Sequence, residues 1–223
     1  MDKCDDSTIS PSPGCVRRGV PAVLTVLVSN VGSRWHDRAM DADGFWDIIE
    51  TARASAGKSR PFHEALADHL ATRTEREILD YQQQFDKVHQ ALYRWDVWAA
   101  AYLIGGGCSD DSFIDFRAGL IAQGRVWYQK AADSPDSLAD HPAVAAAARR
   151  PWDNPLFYEQ VNYAASYAFE RVSGDGHTFW DALDSREKRE PADMGEHFDF
   201  DDEEEMHRRL PLLSALCLDS NST

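Results

Sequence analysis

Residues 105–125 hold the densest set of groups able to do chemistry: Gly105-Gly106-Gly107-Cys108-Ser109-Asp110-Asp111, then Asp115 and Arg117, then Gly124-Arg125. Flexible glycines leading into a helix N-terminus are how backbone amides are offered to an anion. Here Asp110 and Asp111 occupy or repel that position, and neither a G-K-[ST] motif nor a preceding strand accompanies it. The stretch therefore reads as a tight interhelical turn whose aspartates cap the next helix. Cys108 lies where a helix dipole could lower a thiol pKa, but the neighbouring aspartates push it the other way, which leaves an ordinary loop residue. Asp110, Asp111 and Asp115, joined by a histidine from elsewhere, could hold a divalent cation as carboxylates in helical bundles do. The Glu-x-x-His signature is absent, however, and His63, Glu64, Asp68 and His69 make neither H-E-x-x-H nor one helical face. Caps and solvated faces are preferred, and no metal or cofactor is expected. Arg117 shares a helical face with Phe113, Leu120 and Ile121, and a charge on an apolar stripe needs a partner. Two readings stay open: a salt bridge to an aspartate of the same loop or a neighbouring helix, or an anion clamp inside a cleft. The candidate ligand-binding set is Asp110, Asp111, Asp115, Arg117 and Arg125, with no catalytic residue assigned.

The elements that must position these groups are helical. Ile78, Tyr81, Phe85, Val88, Leu92, Trp95, Ala99 and Tyr102 alternate in steps of three and four, which predicts one long central helix over about 74–104. Three consecutive glycines stop it. Ser109 is a natural N-cap for the next helix, with Asp110 and Asp111 in its first turn and a buried stripe of Phe113, Phe116, Leu120 and Ile121. Upstream, Asp41 and Asp43 precede Phe45, Trp46, Ile48, Ile49 and Ala52 at helical spacing, and Pro61 opens a second amphipathic segment. Downstream, residues 125–132 and 143–148 read as short helices, and Asn154-Pro155 as the start of another that Gly174 ends. No convincing alternating strand appears. The fold expected is an all-α, single-domain helical bundle.

Composition bounds the function. The chain has 223 residues, with 38 acidic against 23 basic side chains and a formal net charge of −15. Phosphate neutralisation needs a basic face, so direct nucleic-acid binding is not expected. No apolar run approaches the roughly 20 residues of a membrane span. Four cysteines, Cys4, Cys15, Cys108 and Cys217, make no CxxC pair, and a reducing cytoplasm is the simpler setting. Four Trp-Asp dipeptides, beginning at Trp46, Trp95, Trp152 and Trp180, are too irregularly spaced for propeller blades. Residues 1–39 differ in character and are expected to be an untranslated or disordered leader, with the helical domain over 40–189. Nine acids fall between Glu190 and Glu205, ahead of an apolar C-terminal segment holding Leu210, Leu212, Leu213, Leu216 and Leu218. Residues 190–223 are expected to dock on the domain.

Three segments together resemble an uncharacterised bacterial family, a domain of unknown function. They are Phe45-Trp46-Asp47-Ile48-Ile49-Glu50, the run from Trp98 through Gly105-Gly106-Gly107-Cys108-Ser109-Asp110-Asp111-Ser112-Phe113-Ile114-Asp115-Phe116-Arg117 to Gly124-Arg125, and the acidic end leading to Leu210-Pro211-Leu212-Leu213. The resemblance covers most of residues 40–215 and implies at most a helical accessory role, with no reaction, substrate or catalytic residue to carry over.

The functional expectation is a cytoplasmic, non-enzymatic interaction or regulatory protein whose acidic surface engages a basic protein partner. The alternatives are a small enzyme or anionic-ligand-binding protein with its cleft at the Gly105–Asp111 loop, and an immunity-type inhibitor of a basic toxin.

Overall fold

The computed structural model describes residues 39–147, 154–185 and 193–219, so the expectation for residues 1–39 falls, but for Ala39, outside the described residues. Several helices begin where the sequence supplies a side-chain cap. Asp41 accepts from the Gly44 amide at 3.0 Å and starts α1 (Ala42–Ser55). α2 (Phe62–Leu70) follows Pro61. Thr74 and Glu77 form a reciprocal capping box at the head of α3 (Glu75–Ala91). Among the described residues no strand forms, and the fold is all-α, with one isolated antiparallel bridge between Gly57 and Arg60. No helix among them is long and apolar enough to cross a membrane.

The single central helix expected over 74–104 is two helices, α3 and α4 (Trp95–Gly105). Between them Arg94 is extended, at φ −139° and ψ 150°. Two long-range partners and one local fork hold the elbow open. The Trp95 amide donates to the Met194 carbonyl at 3.0 Å, Arg94 Nη1 donates to the Ala132 carbonyl at 2.7 Å, and Arg94 Nε and Nη2 fork onto Asp96 at 2.9 and 2.5 Å. The apolar spacing runs through the break because both helices keep their apolar side on one core, where Leu92 is wholly buried.

α4 ends in a left-handed turn at Gly106 (φ +64°), followed by Gly107 at φ +127°, a conformation that side chains rarely adopt. Ser109 then accepts from the Ser112 amide at 3.2 Å and caps α5 (Asp110–Ala122). α6 (Arg125–Asp133), a 3-10 helix (Pro135–Asp140) and α7 (Pro142–Ala147) complete this stretch.

The helix expected from Asn154-Pro155 starts later. Leu156 takes a left-handed φ of 72°, a 3-10 helix covers Glu159–Tyr163, and α8 begins only at Ala164 and runs to Ser173. Tertiary contact overrides the local signal here. The Leu156 backbone lies directly on Gly119 of α5, the Tyr158 amide donates to the Asp115 carbonyl at 3.0 Å, and the Phe157 ring packs on Phe116 and over Gly105. α9 (His177–Asp184) follows.

The last described segment carries α10 (Glu203–Arg209) and α11 (Pro211–Cys217). α11 packs on α4 and on the 3-10 helix Pro135–Asp140, with Leu210 and Leu213 buried. Asp136 caps it from that neighbour, accepting from the Leu212 and Leu213 amides at 3.1 and 2.9 Å.

The approach of Leu156 to Gly119 makes a sharp prediction. A Cβ at position 119 would sit 1.6 Å from the Leu156 carbonyl oxygen, so Gly119→Ala must displace residues 154–158. Chemical denaturation is expected to show a loss of at least about 2 kcal/mol.

Candidate functional site

The elbow at Leu92–Arg94 and the first half of α5 enclose a cleft of about 210 Å³, lined by Gln90, Tyr93, Trp98, Asp110, Ile114 and Arg117. Asp110, Ile114 and Arg117 stand four and three residues apart, hence on one face of α5. Gln90 and Tyr93 come from the end of α3 and the elbow, and Trp98 from α4.

Arg117 is 5 % exposed. Its Nε donates to the Phe113 carbonyl at 3.3 Å and its Nη1 to the His89 carbonyl at 3.1 Å. The guanidinium carbon lies 4.8 Å from the ring centres of both Tyr93 and Phe113, a double cation–π contact. Among the described residues no carboxylate forms a salt bridge with it. Burial lowers its pKa to about 10, so it is still a cation at neutral pH.

His89 supports this arrangement. Burial first, then the Arg117 charge, push its imidazole down to about 4, so the ring is neutral at pH 7. Its Nε2 faces the Ile114 carbonyl at 3.0 Å; a carbonyl only accepts, so Nε2 carries the proton.

Of the five candidate residues, the structure brings Asp110 and Arg117 to one cleft. Asp111 is exposed in the first turn of α5. Asp115 turns to the 3-10 helix Glu159–Tyr163, where Asn162 donates to it at 3.1 Å; burial, Glu159 and Asp111 raise its pKa. Arg125 lies beyond the far end of α5, about 20 Å along the axis from Asp110. There its side chain pairs with Asp43 at 2.7 Å and its amide donates to Glu50 at 2.9 Å. Cys108 is half-buried and its thiol is pushed up to about 12, chiefly by burial and further by Asp110 and Asp115, which removes the thiolate needed for nucleophilic attack at neutral pH. Among the described residues no group of three His, Cys, Asp or Glu side chains is placed to share a metal ion.

A second concavity of about 400 Å³ lies on the other side of Trp98, between α4 and residues 197–201. The Trp95 and Trp98 rings are nearly parallel, 9° apart with centres at 5.3 Å, and Trp98 stacks in turn on Phe113 at 4.7 Å. Tyr102 and Phe200 complete the aromatic wall, 5.5 Å apart. Asp199 and Asp201 are exposed at its edge, and Asp201 accepts from the Tyr102 hydroxyl at 2.5 Å. Sequence reasoning missed Gln90, Tyr93, Trp98 and this wall. On a helix unbroken over 74–104 Tyr93 falls off the apolar stripe and Trp98 only borders it, three residues from Trp95, and nothing local marks residues 197–201 as their neighbours.

An all-α domain with an arginine-floored cleft beside an acidic aromatic groove is the class that fold and site define. The chain belongs to the family of proteins of unknown function DUF4240, which matches residues 40–171, more than half of its length. The match includes the Phe45–Glu50 segment and the whole of residues 98–125. No curated protein and no solved structure matches the chain.

The low His89 value has a pH consequence. A histidine whose pKa is about 4 when folded and near 6.5 when unfolded binds more protons in the unfolded chain between those limits. Its contribution is therefore present above about pH 6.5 and lost as the pH falls toward 4, by up to ~3 kcal/mol. Denaturation midpoints followed from pH 7 to pH 4 should fall less steeply for His89→Gln than for the wild type.

Proposed function

We propose that this chain is a non-enzymatic interaction protein of the cytoplasm that receives a basic segment of a protein partner in the groove between α4 and residues 197–201. The observation that carries the reading is the Trp95–Trp98 pair with two exposed carboxylates, Asp199 and Asp201, at its edge. Aromatic walls attract cations through their ring quadrupoles, and an arginine stacks on them while its guanidinium finds a carboxylate. Several neighbouring acids of the run are committed elsewhere. Asp202 caps α10, Glu205 forks onto Arg208 and Arg209 at 2.5 Å each, and Glu196 holds Arg209 at 2.9 Å. An immunity-type inhibitor of a basic toxin is one member of this class. The cytoplasmic setting rests on the few, unpatterned cysteines.

Fluorescence anisotropy with a labelled hexa-arginine peptide tests the groove, using two charge-matched double variants of the full chain. Asp199→Asn with Asp201→Asn removes both charges while leaving one acceptor oxygen on each side chain, and is expected to weaken binding about tenfold, the equivalent of ~1.4 kcal/mol. Glu203→Gln with Glu204→Gln removes the same charge from the exposed first turn of α10 and should change affinity far less. Equal losses for the two variants would reduce the interaction to net charge and overturn the assignment.

A further inference from the structure

We infer that the cleft floored by Arg117 is a second binding site, separate from the groove, and that it takes a small aromatic carboxylate. A cation buried to this degree normally has a carboxylate beside it, because removing an ionised group from water costs several kcal/mol that dipoles alone offset only in part. Arg117 has two carbonyls and two ring faces instead, and its Nη2 makes no hydrogen bond to any described residue. The guanidinium thus keeps donors for an incoming planar oxyanion, and a fork of parallel N–H groups matches a carboxylate better than any other common anion. The walls specify the rest. Tyr93 and Trp98 supply aromatic surface on one side and Ile114, 40 % exposed, forms an apolar lip on the other. At about 210 Å³ the cleft lies below the roughly 300–1,000 Å³ of drug-sized sites, so its occupant is about the size of a single substituted ring. Asp110, exposed at the cleft on the first turn of α5, opposes the anion and sets an upper limit on affinity.

The test is a titration of the full chain with benzoate, read by ligand-observed NMR, with benzylamine as the charge-reversed probe. Saturable binding of benzoate and none of benzylamine is expected. Asp110→Asn should tighten benzoate binding by about two- to fivefold, the range set by one partly screened surface charge. Ile114→Trp should abolish binding with the melting temperature unchanged, since it fills the mouth from an exposed position and removes nothing from the core. That variant keeps Arg117 in place, so the test does not depend on whether the more disruptive Arg117→Ala folds. Absence of saturable benzoate binding, benzylamine binding equally well, or undiminished binding by Ile114→Trp would each overturn the proposal. Benzoate binding that survives Asp199→Asn with Asp201→Asn distinguishes the cleft from the groove, since neither aspartate lines the cleft.

Discussion

The structure turns on a three-residue elbow. If residues 92–94 stayed helical, α3 and α4 would form one rod, and Tyr93 and Trp98 could not both face Arg117. The elbow is not encoded by a glycine or a proline. It is held by groups far away in the chain, the Ala132 and Met194 carbonyls, which take the Arg94 side chain and the Trp95 amide. Helix propagation gains one backbone hydrogen bond per residue, so these partners and the Asp96 fork together replace what the broken turn loses. The cleft and the groove are then two sides of the same corner.

Much of the fold was legible from local signals, and the failures share one cause. Capping residues and apolar stripes located α1 and α5, because a cap acts within one turn and a stripe reports which side is buried. Periodicity says nothing of where the axis points, so the elbow passed unseen beneath an unbroken stripe. Asn154-Pro155 is a sound helix start by local chemistry, yet the glycine that displaces the helix, Gly119, lies 35 residues earlier. Long-range contact decided both places. The same holds for the site: Asp110 and Arg117 were readable from the spacing on α5, whereas Gln90, Tyr93 and Trp98 join them only once the elbow is formed.

Charge density and charge availability also prove to be different quantities. Nine acids between Glu190 and Glu205 read as a highly negative segment. In the folded chain Asp202 serves a helix end and Glu205 is held down to about 2 by its hydrogen bonds to Arg208 and then Arg209. Asp199 and Asp201 remain exposed beside aromatic rings, and that placement gives the acidity a direction. The folded chain thus holds a buried cation in one concavity and exposed carboxylates at the edge of the other.

Trp98 belongs to both walls, and its indole N–H is tied to the Cys108 carbonyl at 3.0 Å, at the turn that leads into α5. A side chain shared in this way would couple any ligand in the cleft to any ligand in the groove. Whatever free energy a ligand on one side spends in moving that ring, a ligand on the other side must register, and by the same factor in both directions. The shapes of both concavities are therefore set by the position of a single indole.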